Sequence, residues 1–121
     1  MKNLESKLQQ QCVKWFKYQY PKEIIFAIPN GSQRNIITAK ILKGEGVLAG
    51  VSDLMILGSK VVQDGIDMNV WCGMFIEMKS EKGKLSDSQK AFIENATEKG
   101  YYCAVCNSFE SFVKEVKNYL D

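Results

Sequence analysis

The 121-residue sequence contains no histidine, no long apolar run and little net charge. The lack of histidine excludes Ser-His-Asp hydrolases, histidine-dependent metal nucleases and zinc proteases. An apolar run of roughly 18 to 20 residues is needed to span a bilayer, so we expect no membrane partner. Any chemistry must therefore use carboxylates, lysine, hydroxyls, amides or thiols.

The net charge of +2 does not by itself indicate nucleic-acid binding. Basic residues nevertheless cluster in "KSEKGK", which contains Lys79, Lys82 and Lys84. Such a cluster suits contact with phosphates, and a solvated turn accounts for it equally well. We keep Lys82 and Lys84 as candidate nucleic-acid contacts.

The length and composition predict one globular domain, residues 1–121, with one packed core. Hydrophobic residues make up 45% of the chain, which is far from a disordered composition. The start of the chain, "MKNLESKLQQ", is polar and lacks the apolar segment of a secretory signal. We therefore expect a soluble, cytoplasmic protein. Its compact form suits a bacterial or phage-infected cell.

Four cysteines are present, and two of them, Cys103 and Cys106, form a CxxC pair. In the predicted strand "YYCAVCN" a spacing of three places the two thiols on opposite faces. The sequence has no second CxxC and no histidine to complete a four-ligand zinc site. These features favour reduced, packed cysteines over a zinc or redox site.

Hydrophobic periodicity and turn signals predict an α/β fold. Helices are predicted at residues 3–18, 35–43, 85–100 and 108–120, and strands at residues 23–29, 52–58, 73–80 and 101–107. Segment 60–72 is a loop or a hairpin that turns at Asp64-Gly65. Ser86 and Gln89 have the spacing of a capping box at the start of the third helix. The order α-β-α-β-β-α-β-α predicts a mixed sheet with helices on both faces.

Two predicted strands carry acidic residues where core residues are expected. Strand alternation places Glu77 and Lys79 on one face, and Asp53 begins the neighbouring apolar strand. If these strands pair, both carboxylates and the amine meet in one patch. Two buried carboxylates repel each other unless a cation or a lysine offsets their charge.

A magnesium ion would resolve that repulsion. Mg²⁺ prefers oxygen ligands, uses one or two carboxylates and keeps positions open for phosphate. It can polarise a phosphodiester and activate water, while Lys79 can stabilise the charge that develops on the phosphate. The plainer interpretation is an exposed Glu-Lys ion pair and an Asp in a turn. Both motifs together, with Glu5 in an upstream helix and a capped helix downstream, favour a phosphodiesterase centre.

The segments "GVSDL" and "FIEMKSEKGKLSDSQ" resemble the PD-(D/E)xK nuclease superfamily, in particular its VRR-NUC family of small nuclease domains. The opening "ESKLQQQCVKWF" and the segment "AIPNGSQRN" also resemble that family, so the resemblance runs from Glu5 to about Asn107. One departure is "AGVSD", with Ala49 and Ser52 where family members often have proline. Proline would stiffen the approach to the strand, and its absence removes no metal ligand.

The resemblance implies a restriction-endonuclease-like core and metal-dependent cleavage of DNA. Carried over by position, Asp53 and Glu77 would hold Mg²⁺ or Mn²⁺, with the backbone carbonyl of Met78 as a third ligand. Lys79 would be the catalytic lysine. Glu5 would reach the site from the first helix, through a bound water or a second ion.

The resemblance also implies a role for Gln89 near the scissile phosphate or the attacking water. Gln89 is equally suited to be the capping partner of Ser86, and the two roles can coexist. We place Ser86 among the candidate DNA contacts with Asn30 and Arg34, for which an ordinary turn and a surface charge are the alternatives. Gln9 lies one helical turn after the helical glutamate and could orient it.

The leading hypothesis is a metal-dependent DNA endonuclease that acts on branched DNA such as four-way junctions. Two strands of a junction need two active sites, so we expect a homodimer or a higher oligomer. Apolar residues near Trp71 and in the last helix are candidates for the self-interface. The alternatives are a nicking, flap or duplex endonuclease of the same chemistry, and a catalytically inactive nucleic-acid-binding module.

Overall fold

The structure is a computed structural model that describes residues 2–29 and 36–121. Two candidate DNA contacts, Asn30 and Arg34, lie outside the described residues. Within the part that the structure describes, no helix has both the length and the apolar character needed to cross a membrane.

Four helices and six strands follow one another along the described chain. In order they are α1 (Lys2–Gln19), β1 (Ile25–Ala27), α2 (Ile36–Gly44), β2 (Leu54–Ile56), β3 (Lys60–Asp64), β4 (Asp67–Trp71), β5 (Met74–Met78), α3 (Asp87–Glu98), β6 (Tyr102–Cys106) and α4 (Phe109–Leu120). The predicted order is confirmed, and segment 60–72 forms the hairpin β3–β4. This hairpin turns at Gly65, whose φ of 63° suits glycine.

Four strands form a mixed sheet in the order β1-β2-β5-β6, and β3 and β4 form a separate two-stranded sheet. β2 pairs antiparallel with β1 and β5, whereas β6 runs parallel to β5. β1 and β2 have three residues each, fewer than predicted. Single hydrogen bonds continue their pairing on both sides, from Ile28 N–H to the Asp53 carbonyl at 2.8 Å and from Leu57 N–H to the Ile24 carbonyl at 3.1 Å.

Helices cover both faces of the main sheet, as predicted. On one face, α1 and α4 pack on alternate residues of β2, β5 and β6. The core there comprises Cys12, Phe16, Ile25, Leu54, Ile56, Met74, Ile76, Met78, Ala104, Cys106, Phe112, Val116 and Tyr119. On the other face, Phe75 of β5 meets Phe92 of α3 edge to face, with ring centroids 5.0 Å apart. The period-2 alternation of the strands therefore separates the α1–α4 side from the α3 side.

The apolar side of α4 is buried in this core through Phe112, Val116 and Tyr119. Trp71 is half-buried, and its ring lies edge-on to Tyr102 at 5.5 Å between centroids. Phe112, Val116 and Tyr119 are thus engaged within the chain, whereas Met68 and Val70 beside Trp71 are 63% and 50% exposed. A self-interface near Trp71 stays a prediction.

The four cysteines are free thiols, and the CxxC pair divides between the two faces of the sheet as predicted. Cys106 is buried on the α1–α4 side, while the half-buried Cys103 has its Sγ 3.9 Å from the Ile93 carbonyl of α3. Cys12 is also buried, but Cys72 is exposed. The expectation of a packed thiol is therefore wrong for Cys72, because it lies between the hairpin and β5 rather than inside either sheet.

Candidate active site

Asp53 and Glu77 meet at one end of the sheet, where β2 begins and β5 ends. Leu54 pairs with Ile76, so the antiparallel register places Asp53 opposite Glu77. The carboxylate of Asp53 accepts a hydrogen bond from the Met78 N–H at 2.7 Å. This bond holds the carboxylate of Asp53 against the end of β5.

Glu77 is almost fully buried, with 4% of its surface exposed. Burial is the largest cause that raises its pKa to about 8, and the charge of Asp53, a hydrogen bond with Asp53 and the charge of Glu5 act in the same direction. The ammonium of Lys79 lowers this pKa in part. The protein alone therefore keeps a proton on Glu77 at neutral pH. Two carboxyl groups that share a proton can instead bind a cation, which replaces the proton between them.

Gln89 connects this carboxyl pair to the start of α3. Its Nε2 donates to the Glu77 carboxylate at 3.1 Å, and its Oε1 accepts from the Ser86 N–H at 2.8 Å. The Gln89 N–H in turn donates to Ser86 Oγ at 3.2 Å, which completes the capping box. Both ends of the Gln89 amide are thus engaged. The two roles predicted for this residue coexist in one geometry.

Gly50 brings the segment that carries Asp53 into close contact with α3. A Cβ atom at Gly50 would collide with the backbone carbonyl of Ser88, and the φ of 91° also favours glycine. Because Ser88 directly precedes Gln89, this contact sets the distance between Asp53 and the amide that binds Glu77.

Lys79 and Glu5 complete the surroundings of Glu77 from two other directions. Lys79 follows β5, and its N–H donates to the Cys106 carbonyl at 2.9 Å, which continues the pairing with β6. Strand alternation then keeps Lys79 on the face of Glu77. Glu5 acts on Glu77 from the first turns of α1. Groups from α1, β2, β5 and α3 therefore surround one buried carboxyl group.

The remaining candidates lie around this centre. Lys82 and Lys84 are exposed in the connection between β5 and α3. Ser86 is also exposed, and its Oγ lies 3.1 Å from Ser88 Oγ within the cap of α3. Gln9 is half-buried on α1 and lines a groove on that helix.

The donor set at this end of the sheet fits a hard divalent cation. Asp53 and Glu77 supply two carboxylates, and the backbone of Met78 adjoins them. Mg²⁺ commonly takes this number of carboxylates and completes its shell with other oxygen atoms. Among residues 2–29 and 36–121, no group of three or more His, Cys, Asp or Glu side chains is close enough to hold a metal ion. The role of Glu5 at the metal, through a bound water or a second ion, stays a prediction.

Sequence reasoning missed two features of this region. Gly50 was considered only as part of the segment "AGVSD" that lacks proline, although a glycine beside an apolar strand can mark a close backbone approach. The groove on α1, which contains Lys14 and Lys17, was also missed. The two lysines lie on one side of an amphipathic helix, and such charges usually indicate only a solvated face.

Comparison with known proteins supports the same architecture. The profile of the VRR-NUC domain matches residues 1–110. A solved structure described as "VRR_NUC domain protein" superposes with a TM-score of 0.77 and 24% sequence identity, over 96% of this chain and 87% of that chain. No curated protein sequence matches this chain. The core is thus a restriction-endonuclease-like, nuclease-type fold, and the chain belongs to the VRR-NUC family.

Proposed function

We propose that this chain is a Mg²⁺- or Mn²⁺-dependent DNA endonuclease that hydrolyses phosphodiester bonds, with a preference for branched DNA such as four-way junctions. The observation that supports the chemistry is the contact between the half-buried carboxyl group of Asp53 and the buried one of Glu77 on adjacent strands. Membership of the VRR-NUC family supports a nuclease. The metal, the branched substrate and the residue roles are parts of the proposal.

The residues around the carboxyl pair have distinct roles in this mechanism. A cation bound there supplies polarisation of the phosphodiester and activation of water. Asp53 and Glu77 hold it, and the Met78 N–H and the Gln89 amide orient these two ligands. Lys79, on the face of Glu77, offsets the negative charge that develops on the phosphate. Glu5 orients the attacking water from α1.

The test is cleavage of a four-way junction, a flap, a duplex and a single strand, each with Mg²⁺ or with EDTA. We expect EDTA to abolish cleavage and Asp53→Asn to do the same, because a neutral amide is a poor ligand for Mg²⁺. Lys79→Ala should lower kcat by roughly 10²- to 10³-fold, the usual effect of removing one group that stabilises transition-state charge. Lys114→Ala, an exposed lysine of α4, is the control that should retain full activity.

Cleavage that survives both Asp53→Asn and Lys79→Ala would contradict the proposed chemistry and favour the inactive binding module. Cleavage of duplex or flap with no preference for junctions would instead favour the nicking or flap endonuclease. The two alternatives are therefore separated by the same set of substrates.

We further infer that two copies associate through the α3 side of the sheet. A groove of about 500 Å³ lies there between α3 and the loop before β2, with Leu48, Met55 and Phe75 among its apolar lining residues. None of the residues of α2 is buried, and Ile37 and Ile41 are 73% and 56% exposed on this short helix. In a two-fold dimer each copy can offer its isoleucines to the apolar groove of the other.

A further inference from the structure

We propose that the phosphodiester backbone of the substrate leaves the carboxyl pair along α1, in a groove whose basic end consists of Lys14 and Lys17. This inference rests on the proposed nuclease function and adds the path of the DNA. It assigns phosphate contacts to a helix face that carried no candidate contacts in the sequence.

The groove is a feature of α1 itself. It has a volume of about 390 Å³, and its described lining residues are Ser6, Gln9, Gln10, Val13, Lys14 and Lys17. Ser6, Gln10, Lys14 and Lys17 follow one another at intervals of four, four and three residues, which keeps them on one helix face. Hydroxyl, amide and ammonium groups of this kind are the usual donors to phosphate oxygens.

The groove follows Glu5 along α1, because Gln9, four residues after Glu5, is among its lining residues. Glu5 lies in the first turn of α1, and its charge acts on Glu77 of the carboxyl pair. At 1.5 Å per residue, Lys17 lies about 18 Å along the helix from Glu5. That length is the axial rise of roughly five base pairs. A strand held at the carboxyl pair can therefore reach both lysines without leaving the protein surface.

Charge distinguishes the α1 side from the α3 side. α1 carries four lysines and one glutamate, and no acidic residue occurs between Glu5 and Glu23. α3, on the opposite face of the sheet, carries one lysine, one aspartate and two glutamates. DNA that passes the carboxyl pair would meet repulsion along α3 and attraction along α1. The small net charge of the whole chain hides this asymmetry.

The occupant of the groove is the sugar-phosphate backbone rather than base edges. Lys14 and Lys17 are exposed and have no acidic residue within four positions on either side, so their charges are free of helical ion pairs. Contacts to phosphate carry no sequence information, and we expect the same effect on junction, flap and duplex arms.

The experiment compares the double variant Lys14→Ala/Lys17→Ala with Lys114→Ala/Lys117→Ala, which removes two exposed lysines at the same spacing from α4. Binding of a labelled junction is measured by anisotropy in EDTA over 50 to 200 mM salt. Two lost phosphate contacts should reduce the magnitude of the log Kobs–log[salt] slope by about 1.8. The ratio of the wild-type binding constant to that of the variant should therefore fall by about tenfold between 50 and 200 mM salt. The α4 double variant should have the wild-type slope.

Cleavage kinetics separate this inference from the proposed function. In Mg²⁺ the α1 double variant should have a raised KM and an unchanged kcat at saturating DNA. A cleaving wild type with equal slopes in all three proteins would overturn the groove and leave the nuclease intact. A wild type that binds DNA without cleaving it, with the reduced slope in the α1 variant, would support the groove and overturn the nuclease. Absence of DNA binding by the wild type would overturn both.

Discussion

The Glu77 carboxyl group links the protonation of the protein to its proposed metal. Its folded-state pKa of about 8 lies above the ordinary value of 4.5, first because of burial and then because of Asp53. Between these two values the folded protein binds one proton more than the unfolded chain does. By linkage, the stability of the metal-free protein must fall as pH rises through this window. A cation that replaces the proton would restore the stability that the metal-free protein loses as pH rises.

We predict that the free energy of unfolding of the metal-free protein decreases from pH 5 to pH 8, by up to about 1.4 kcal/mol per pH unit. Glu77→Gln should flatten this dependence, whereas Glu81→Gln in the exposed loop should keep it. Mg²⁺ should raise Tm more at pH 8.5 than at pH 6, because at the lower pH it must displace the proton. Denaturant titrations and thermal melts at several pH values measure these quantities. If the unfolding free energy of Glu77→Gln decreased with pH as steeply as that of the wild type, the assignment of this proton to Glu77 would be contradicted.

Gly50 illustrates a backbone contact that no side chain reveals. Gly50 and Gly46 have similar positive φ values of 91° and 105°, but only at Gly50 would a Cβ meet backbone atoms. We predict that Gly50→Ala destabilises the protein by roughly 1 to 3 kcal/mol more than Gly46→Ala, the usual cost of overpacking. Because the shifted contact carries Asp53 away from Gln89, Gly50→Ala should also lower cleavage. Equal unfolding free energies for the two variants would show that the loop does not press on α3.

At the scale of the element, the start of α3 does two things at once. The same Gln89 amide caps the helix and binds Glu77, so the start of the helix cannot move away from β5 without loss of the bond to Glu77. α4 provides an internal comparison, because Ser108 and Ser111 form a second capping box on a helix that carries no candidate site residue.

We therefore predict similar losses of stability, about 1 kcal/mol each, for Ser86→Ala and Ser108→Ala. Only Ser86→Ala should also reduce cleavage, since it weakens the support of Gln89. Gln89→Ala, which removes the bond to Glu77 as well, should reduce cleavage further. Unfolding free energies and cleavage rates of the three variants test this order. A larger effect of Ser108→Ala on cleavage would argue against the role of the α3 cap.

At the scale of the whole molecule, the uncovered isoleucines of α2 have the most direct consequence. We predict that the wild type has about twice the 13.7 kDa chain mass in solution, and that Ile37→Glu/Ile41→Glu reduces it to that of one chain. Charges placed in an apolar interface oppose association because they lose hydration there. Lys40→Glu, an exposed change on the same helix, is the control. Light scattering gives the masses, and a dimeric double variant would exclude this interface.

Features that depend on residues close together in the sequence could be predicted, whereas features that depend on distant segments could not. The capping box at Ser86 and the shared face of Glu77 and Lys79 depend on neighbours within a few residues, so local patterns predicted them. The bond between Gln89 and Glu77 joins two elements, and its geometry required the packed fold. The exposure of Cys72 and of α2 could not be predicted, because burial depends on which elements meet.

By itself, the sequence determined the order of helices and strands and the family to which the chain belongs. Periodicity and turn residues act locally, and a family pattern requires only the right residues at the right spacing. The tertiary structure alone decided the register that sets Asp53 against Glu77, the contact of Gly50 with α3 and the uncovered face of α2. These features depend on distances between segments far apart in the chain, which packing determines and a linear pattern does not contain.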